Sequence, residues 1–458
     1  MRKKSVLLLV LSILVFILCG CAADDGNNDP GQKVEQDAEQ KAFEGYTLFT
    51  PLTSNMTYLI DNNGDVVHSW ESEHYPGNSV YLLENGNLLR TADPGANGNE
   101  TFTSGGAGER VEEFDWESNL VWEFEHSSDQ YLIHHDIEMM PNGNILMIAW
   151  EYKTADEAIT AGRNPDLLED GELWPDKIIE VKPTGSEGGE IVWEWHAWDH
   201  LIQDFDPDKE NYGDPSEHPE LIDINFVGKN KGGRADWMHT NSIDYNEELD
   251  QIVISVHGFD EFWVIDHSTT TSEAAGHTGG NSGKGGDFLY RWGNPQTYRA
   301  GDADDQQLFG QHDAEWIEKG LPGEGNILVF NNGLNREGQG EGYSTVEEIK
   351  PPIDENGNYE LVRGESFEPQ KPDWVYRADP PEELYSPYIS GSQRLPNGNT
   401  LIISGADGRF LEVTPEGEVV WNYTNPYGKA VESEDRNETT VFKAERYSPD
   451  YPGLKLDE

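Results

Sequence analysis

From Gly45 onward the sequence repeats one phrase, a short apolar strand, a turn, and a second strand, and this repeat constrains the fold more than any other feature. One half of the phrase reads YLLENGNLLRTA (81–92), MMPNGNILMIAW (139–150) and RLPNGNTLIIS (394–404). The other half ends in an aromatic strand: YLIDNNGDVVHSW (58–70), VEEFDWESNLVWEF (111–124), IIEVKPTGSEGGEIVWEW (178–195) and FLEVTPEGEVVWNY (410–423). Asn-Gly and Glu-Gly between alternating apolar residues signal hairpins, and type I′ turns are expected because such dipeptides tolerate positive φ. No helical periodicity of comparable strength competes. Repeated four-stranded units with Gly turns and Trp-ended outer strands predict an all-β chain folded as a β-propeller.

Phrase starts fall near Asn78, His135, His239, His312 and Ser390, with an N-terminal unit beginning at Tyr46. They predict a six-bladed β-propeller over residues 44–458, with excursions at 151–177, 202–236, 267–287 and 334–371. The tail VFKAERYSPDYPG (441–453) is expected to add a strand to the N-terminal blade and close the ring.

The N-terminus reads differently. Arg2, Lys3 and Lys4 precede the apolar run Val6 to Leu18, too short for a comfortable bilayer span and suited to an export signal. Its end, Leu18-Cys19-Gly20-Cys21, resembles the bacterial lipoprotein processing box. That resemblance implies removal of residues 1–20, lipidation of Cys21, and an extracytoplasmic protein whose membrane contact is the lipid anchor. Residues 21–43 would be a polar tether. Cys19 and Cys21 are the two cysteines of the chain, so the mature fold has no disulfide and no thiol chemistry.

Charge narrows the partners. With 31 Lys+Arg against 87 Asp+Glu the net charge is −56, which excludes nucleic acid and charge-driven binding to anionic membranes. An aromatic content of 11% separates the chain from disordered acidic polymers.

The repeats also place histidines. His135 stands six residues before Pro141, as Ser390 stands before Pro396 and Asn78 before Glu84. His239 and His312 head the corresponding strands of HTNSIDYNEELDQIVIS and HDAEWIEKGLPGEGNILVF. The first strand of a propeller blade lines the central channel, so three histidines from consecutive blades converge at one mouth. Three imidazoles suit a catalytic zinc with an open position, or metal-free nucleophilic and acid–base catalysis; the residues leave both open. Asp61-Asn62-Asn63-Gly64-Asp65 imitates part of a calcium loop but lacks the distal Glu and sits at a hairpin turn.

GYTLF (45–49), HHDIEMMPNGNIL (134–146), HTNSIDYN (239–246), the series RWGNP…QHDAEW (291–316) and ERYSPDYPG together resemble the bacterial aryl-sulfate sulfotransferases, over nearly the whole mature chain. The resemblance implies a six-bladed propeller that moves a sulfuryl group from a phenolic sulfate to a phenol, without nucleotide, metal or other cofactor. It implies ping-pong transfer through a sulfated histidine, His312 by motif order. His135 and His239 would contact the sulfuryl oxygens or serve the phenols, and Asn241 would be a neutral donor. The family has an Arg where this chain has His257; Arg336, just after the His312 strand, is a candidate replacement. A binding or scaffold propeller and an aryl-sulfate hydrolase are the competing functions. An acidic chain repels an anionic sulfate ester at long range, so local donors must supply its binding.

Overall fold

The structure, a computed structural model, describes residues 42–456 apart from 96–97, 229–232, 337–341, 355, 363 and 429–437. The export signal, Cys21 and all but the last two residues of the tether lie outside the described residues. Among the described residues no helix is long and apolar enough to cross a membrane.

The repeated turn takes a different form from the one expected. In Met140–Asn144 the Gly143 amide donates to the Met140 carbonyl, the Met140 amide to the Asn144 carbonyl, and only Gly143 is left-handed, at φ 82°. Leu83–Asn87 and Leu395–Asn399 repeat the pattern. This is a type I turn followed by a left-handed glycine, not a type I′ turn. The ring of Pro141 or Pro396 fixes a negative φ that suits the second position of a type I turn, and one glycine then suffices to restore the strand twist.

These hairpins build six four-stranded antiparallel sheets. Blade 1 combines Val441–Tyr447 with Tyr46–Pro51, Met56–Ile60 and Val66–Glu71. Blade 2 runs through Tyr75–Leu82, Leu88–Asp93, Arg110–Phe114 and Leu120–Glu125, and blade 3 through Tyr131–Met139, Ile145–Glu151, Asp176–Pro183 and Gly189–His196. Blade 4 comprises Thr240–Asn246, Gln251–Val256, Glu261–Asp266 and Tyr290–Trp292. Blade 5 comprises His312–Trp316, Ile327–Asn331, Thr345–Ile349 and Trp374–Tyr376, and blade 6 Gly391–Arg394, Thr400–Ser404, Arg409–Val413 and Val419–Thr424.

The first strands of the six blades contact one another in order and close a ring. Closure is by the C-terminal strand as expected: Tyr46 pairs with Tyr447 and Phe49 with Ala444. That strand is the innermost of blade 1, so Tyr46 begins its second strand and not its first. The span 334–371 is not a single excursion, because Thr345–Ile349 within it is the third strand of blade 5. The spans 151–177 and 267–287 hold the short helices Ala155–Thr160 and Thr271–Ala274, each started by a Thr–Glu capping box.

The core lies between blades. Leu146, Ile148 and Ile178 of blade 3 meet Ile252, Ile254 and Trp263 of blade 4; Phe49 and Ile60 of blade 1 meet Leu401, Phe410 and Trp421 of blade 6. Inner strands are apolar on both faces because each face is covered by a neighbour; Ile145–Glu151 is buried in all but its last residue.

The outer-strand tryptophans clasp each blade to the next. Trp70 Nε1 donates to the Asp115 carbonyl, Trp122 to Gly188, Trp195 to Gly286, Trp292 to Pro369, Trp374 to Pro415, and Trp421 to Asn62, which completes the circuit. Each acceptor lies between the third and fourth strands of the following blade, so one indole satisfies both its apolar ring and its N–H across the joint. Asp61 spends its carboxylate on the same kind of turn, accepting from the Asn63 and Asp65 amides.

A second joint is ionic. His267 of blade 4 bonds Asp250 at 2.7 Å through Nδ1 and Glu180 of blade 3 at 3.2 Å through Nε2. Burial by itself lowers the pKa of this ring, but the hydrogen bonds and charges of Asp250 and Glu180 overcome it and raise the value to about 9. A folded-state pKa above the unfolded one stabilises below pH ~6.5 and loses that contribution as pH climbs to about 9. The unfolding free energy of the wild-type protein in urea titrations should therefore fall relative to that of His267→Gln across that window, by on the order of 3 kcal/mol. Parallel profiles for the two proteins would refute the linkage.

Candidate active site

At the mouth of the channel the backbone is bent in register. Asn78, His135, His239 and Ser390 all have positive φ, at 126°, 57°, 53° and 91°. These are four of the five repeat positions singled out above. In blade 5 the left-handed residue is Asp313 (φ 55°), one place later, at an irregular pairing between His312 and Glu315. Left-handed non-glycine residues cost free energy and persist where the surrounding structure over-determines them.

His312 is 3% exposed and firmly oriented. Its Nδ1 lies 2.9 Å from Asn332 Oδ1 and 3.2 Å from the Gly310 carbonyl, both acceptors, so Nδ1 carries the proton. Asn332 is fixed in turn, its Nδ2 donating to the Ser386 and Ile389 carbonyls at 2.7 and 2.8 Å. His312 Nε2 is then the lone-pair nitrogen, and it accepts the Ile389 amide at 3.2 Å. Ile389, a β-branched residue at φ 50°, and Ser390 are consecutive left-handed residues beside that nitrogen.

His239 and His135 are oriented by other groups. Asp236 Oδ2 accepts His239 Nδ1–H at 2.5 Å, while the same carboxylate accepts from Ser104 and from Trp150 Nε1. His135 Nδ1 lies 2.8 Å from His134 Nδ1, and His134 Nε2 faces Asp176 at 3.2 Å. The carboxylate beside Nε2 favours a proton on that nitrogen, although the two atoms are not aligned as a hydrogen bond, so that His134 Nδ1 accepts from His135 Nδ1–H. Gly106 walls this ring: a Cβ there would stand 2.2 Å from His135 Cε1.

The imidazoles form one chain. Ring centroids are 4.6 Å apart for His135–His239, 5.4 Å for His239–His257 and 5.3 Å for His257–His312. Phe442 of the closing strand completes the cycle, 6.5 Å from His312 and 6.0 Å from His135. His257 thus stands between the rings of His239 and His312. Asn241 is fully buried, its Nδ2 donating to the Gln311 carbonyl at 2.9 Å, and so fastens the peptide that precedes His312. Arg336 lies over the rings of Phe309 and Tyr343 and donates to Thr345. With Arg377 and Glu347 it lines an open cleft on blade 5.

The family model that matches is Arylsulfotransferase (ASST), over residues 32–448. The chain belongs to the arylsulfotransferase family. Membership supports aryl sulfotransferase activity in general. No curated protein matches the sequence. Solved structures similar in fold include a protein of unknown function from Bacteroides caccae, 11% identical, covering 88% of this chain and 98% of that one at a TM-score of 0.46. Another is the Myceliophteria thermophila Cps50 (Swd1) propeller domain, 9% identical, covering 92% and 98% at 0.43. Virginiamycin B lyase from Staphylococcus aureus is 9% identical, with 88% and 90% covered at 0.37.

Beneath the imidazoles this member of the family carries a buried ionic floor. Lys443, next to Phe442, pairs with Asp313 at 3.1 Å and Asp136 at 3.5 Å, the residues that follow His312 and His135. Burial alone depresses the lysine pKa, but Asp136 and Asp313 outweigh it and hold the value well above normal. Tyr81 donates to Asp136 at 2.6 Å. Glu445 stands 3.9 Å from the same ammonium; burial raises its pKa to about 8 and that of Asp244 to about 6.

Sequence reasoning found His135, His239, His257 and His312 but missed the groups that orient them. His134 was visible as the doublet in HHD, and Asp236 lies three residues before His239. Asp176, Asn332, Ile389, Phe442 and Lys443 come from other strands or blades and carried no local signal.

Proposed function

We propose that this protein transfers the sulfuryl group of a phenolic sulfate to a phenol by a ping-pong mechanism through N-sulfated His312. The observation that carries the reading is the state of His312: Nδ1–H is held by Asn332, and Nε2, the lone-pair nitrogen, accepts only the Ile389 amide at the end of a chain of three further imidazoles.

In the first half-reaction His312 Nε2 attacks sulfur. The N–S bond forms, the S–O(aryl) bond breaks, and its electron pair passes to the phenolate oxygen. His239 suits protonation of that oxygen, because Asp236 on Nδ1 stabilises the imidazolium and orients Nε2. His257 suits the peripheral sulfuryl oxygens as an N–H donor, as does the Ile389 amide once the ester displaces it from His312, and His135 joins them when its Nε2 is also protonated, as an imidazolium. His257 replaces a guanidinium fork with a single-point donor whose charge depends on pH. In the second half-reaction a phenol O–H returns its proton to His239 as its oxygen attacks sulfur, and the S–N bond breaks. Phe442 offers an apolar face to the ring of either phenol. The lipid anchor at Cys21 belongs to the same proposal and would place the reaction outside the cytoplasm, on phenols and sulfate esters reachable from the membrane surface.

The test is mass spectrometry of protein quenched after exposure to phenyl sulfate without acceptor. One added sulfuryl group on the His312 peptide, released when a phenol is supplied, is the expected result. Phenol release with no labelled protein would instead indicate direct hydrolysis. Binding without phenol release would indicate a scaffold.

A further inference from the structure

Away from the channel, three ligand-type side chains meet at the joint between blades 3 and 4. His200 follows the outermost strand of blade 3, and His277 and Asp287 belong to the segment between the third and fourth strands of blade 4. His200 Nδ1 and His277 Nδ1 both lie 2.8 Å from Asp287 Oδ1, and the three atoms are within 4.8 Å of one another.

His200 is the informative member. It is fully buried and stacked on Trp195, with 5° between the ring planes. Its Nε2 lies 2.8 Å from the Ala274 carbonyl, which can only accept. Gly286 passes close beside it, where a Cβ would stand 2.6 Å from Nε2. A neutral imidazole has one proton, and here Ala274 takes it. The Nδ1 lone pair then faces a carboxylate oxygen, an arrangement that requires a cation: a second proton, or a metal ion. A ring N–H given to a backbone carbonyl while the other nitrogen points at a carboxylate and a second imidazole is the outer-shell pattern of a metal-bound histidine.

We propose that His200, His277 and Asp287 form a binding site for a divalent zinc-type ion that staples blade 3 to blade 4. Two imidazole nitrogens and one carboxylate oxygen suit a borderline transition ion and not calcium or magnesium, which prefer all-oxygen sites. Bonds of about 2.0–2.1 Å require the donor atoms to separate by a few tenths of an ångström. His277 can supply that movement because its side chain is 61% exposed. Water completes the coordination on that side. The site belongs to the outer part of the propeller and is independent of the sulfuryl chemistry.

The test is zinc binding by the full chain, measured with zinc chloride in calorimetry and by metal content after gel filtration. One tight equivalent is expected, with a urea midpoint that rises with free zinc. His277→Ala, at an exposed position, and Asp287→Asn should each weaken binding at least about tenfold. His312→Ala, which disturbs the channel imidazoles, should leave it unchanged. Zinc lost with His312→Ala but kept with His277→Ala would place the metal in the channel and overturn the proposal. No tight zinc in the wild-type chain would also overturn it and identify the cluster as an imidazolium–carboxylate network.

Discussion

Replacing His312 by Ala is expected to lower kcat for phenyl sulfate at least about 10⁴-fold and to eliminate covalent labelling. In the proposed reaction this side chain supplies the attacking nitrogen, and none of the groups that orient it can form that bond in its place. Asn332→Ala should keep the label but lose roughly a hundredfold or more in its rate of formation. Without Asn332 Oδ1 the Nδ1 proton keeps only the longer contact to the Gly310 carbonyl, so the ring is less firmly oriented and Nε2 holds the lone pair for less of the time. Both effects belong in kcat more than in KM, because they act on bond formation and not on ground-state contacts. Circular dichroism and the urea midpoint serve as folding controls. If His312→Ala still accumulates a sulfuryl group, on His239 or His257 for example, the nucleophile has been assigned to the wrong imidazole.

Lys443→Met should be the most destabilising single change in the channel, by about 3–5 kcal/mol near pH 8. The ammonium is 6% exposed in its side chain and is shared by Asp136 and Asp313, whose side chains are 0% and 5% exposed. Removing it leaves two buried carboxylates close together with no counter-charge. Burial already holds the Asp313 carboxyl above the usual carboxylate range in spite of Lys443, and without the ammonium it rises further, so that it relaxes by taking up a proton. Groups raised in this way penalise the fold above the unfolded pKa and relieve it as pH falls. Part of the lost stability should therefore return between pH 8 and pH 5 in the variant, and urea midpoints at the two pH values measure it. Turnover should fall as well, because the lysine ties together the strands that carry His135 and His312. A loss below about 1 kcal/mol at pH 8 would show that the floor is hydrated and not a buried ion pair.

Much of the architecture could be read directly. The Asn-Gly and Glu-Gly turns marked the hairpins, the Trp-ended strands marked the blade rims, and the tail at 441–453 was recognisable as a closing strand. The turn type was not readable from the dipeptide alone, because the proline two places before Gly143 or Gly398 sets the preceding φ. The third strand of blade 5 was also missed, since TVEEI at 345–349 is short, carries two adjacent glutamates and is set among loop residues.

By itself the sequence determined the number of blades, the mode of closure and the register at which His135, His239 and His312 appear, because these follow from local turn chemistry and strand periodicity repeated along the chain. The tertiary structure decided everything that makes those histidines distinct from one another. Lys443 meets Asp136 across 307 residues, and His312 meets the Ile389 amide across 77. Such contacts arise only when the ring closes and brings the first strands side by side. A repeat pattern places a side chain on its own blade, whereas a proton's position on an imidazole is set by acceptors on neighbouring ones.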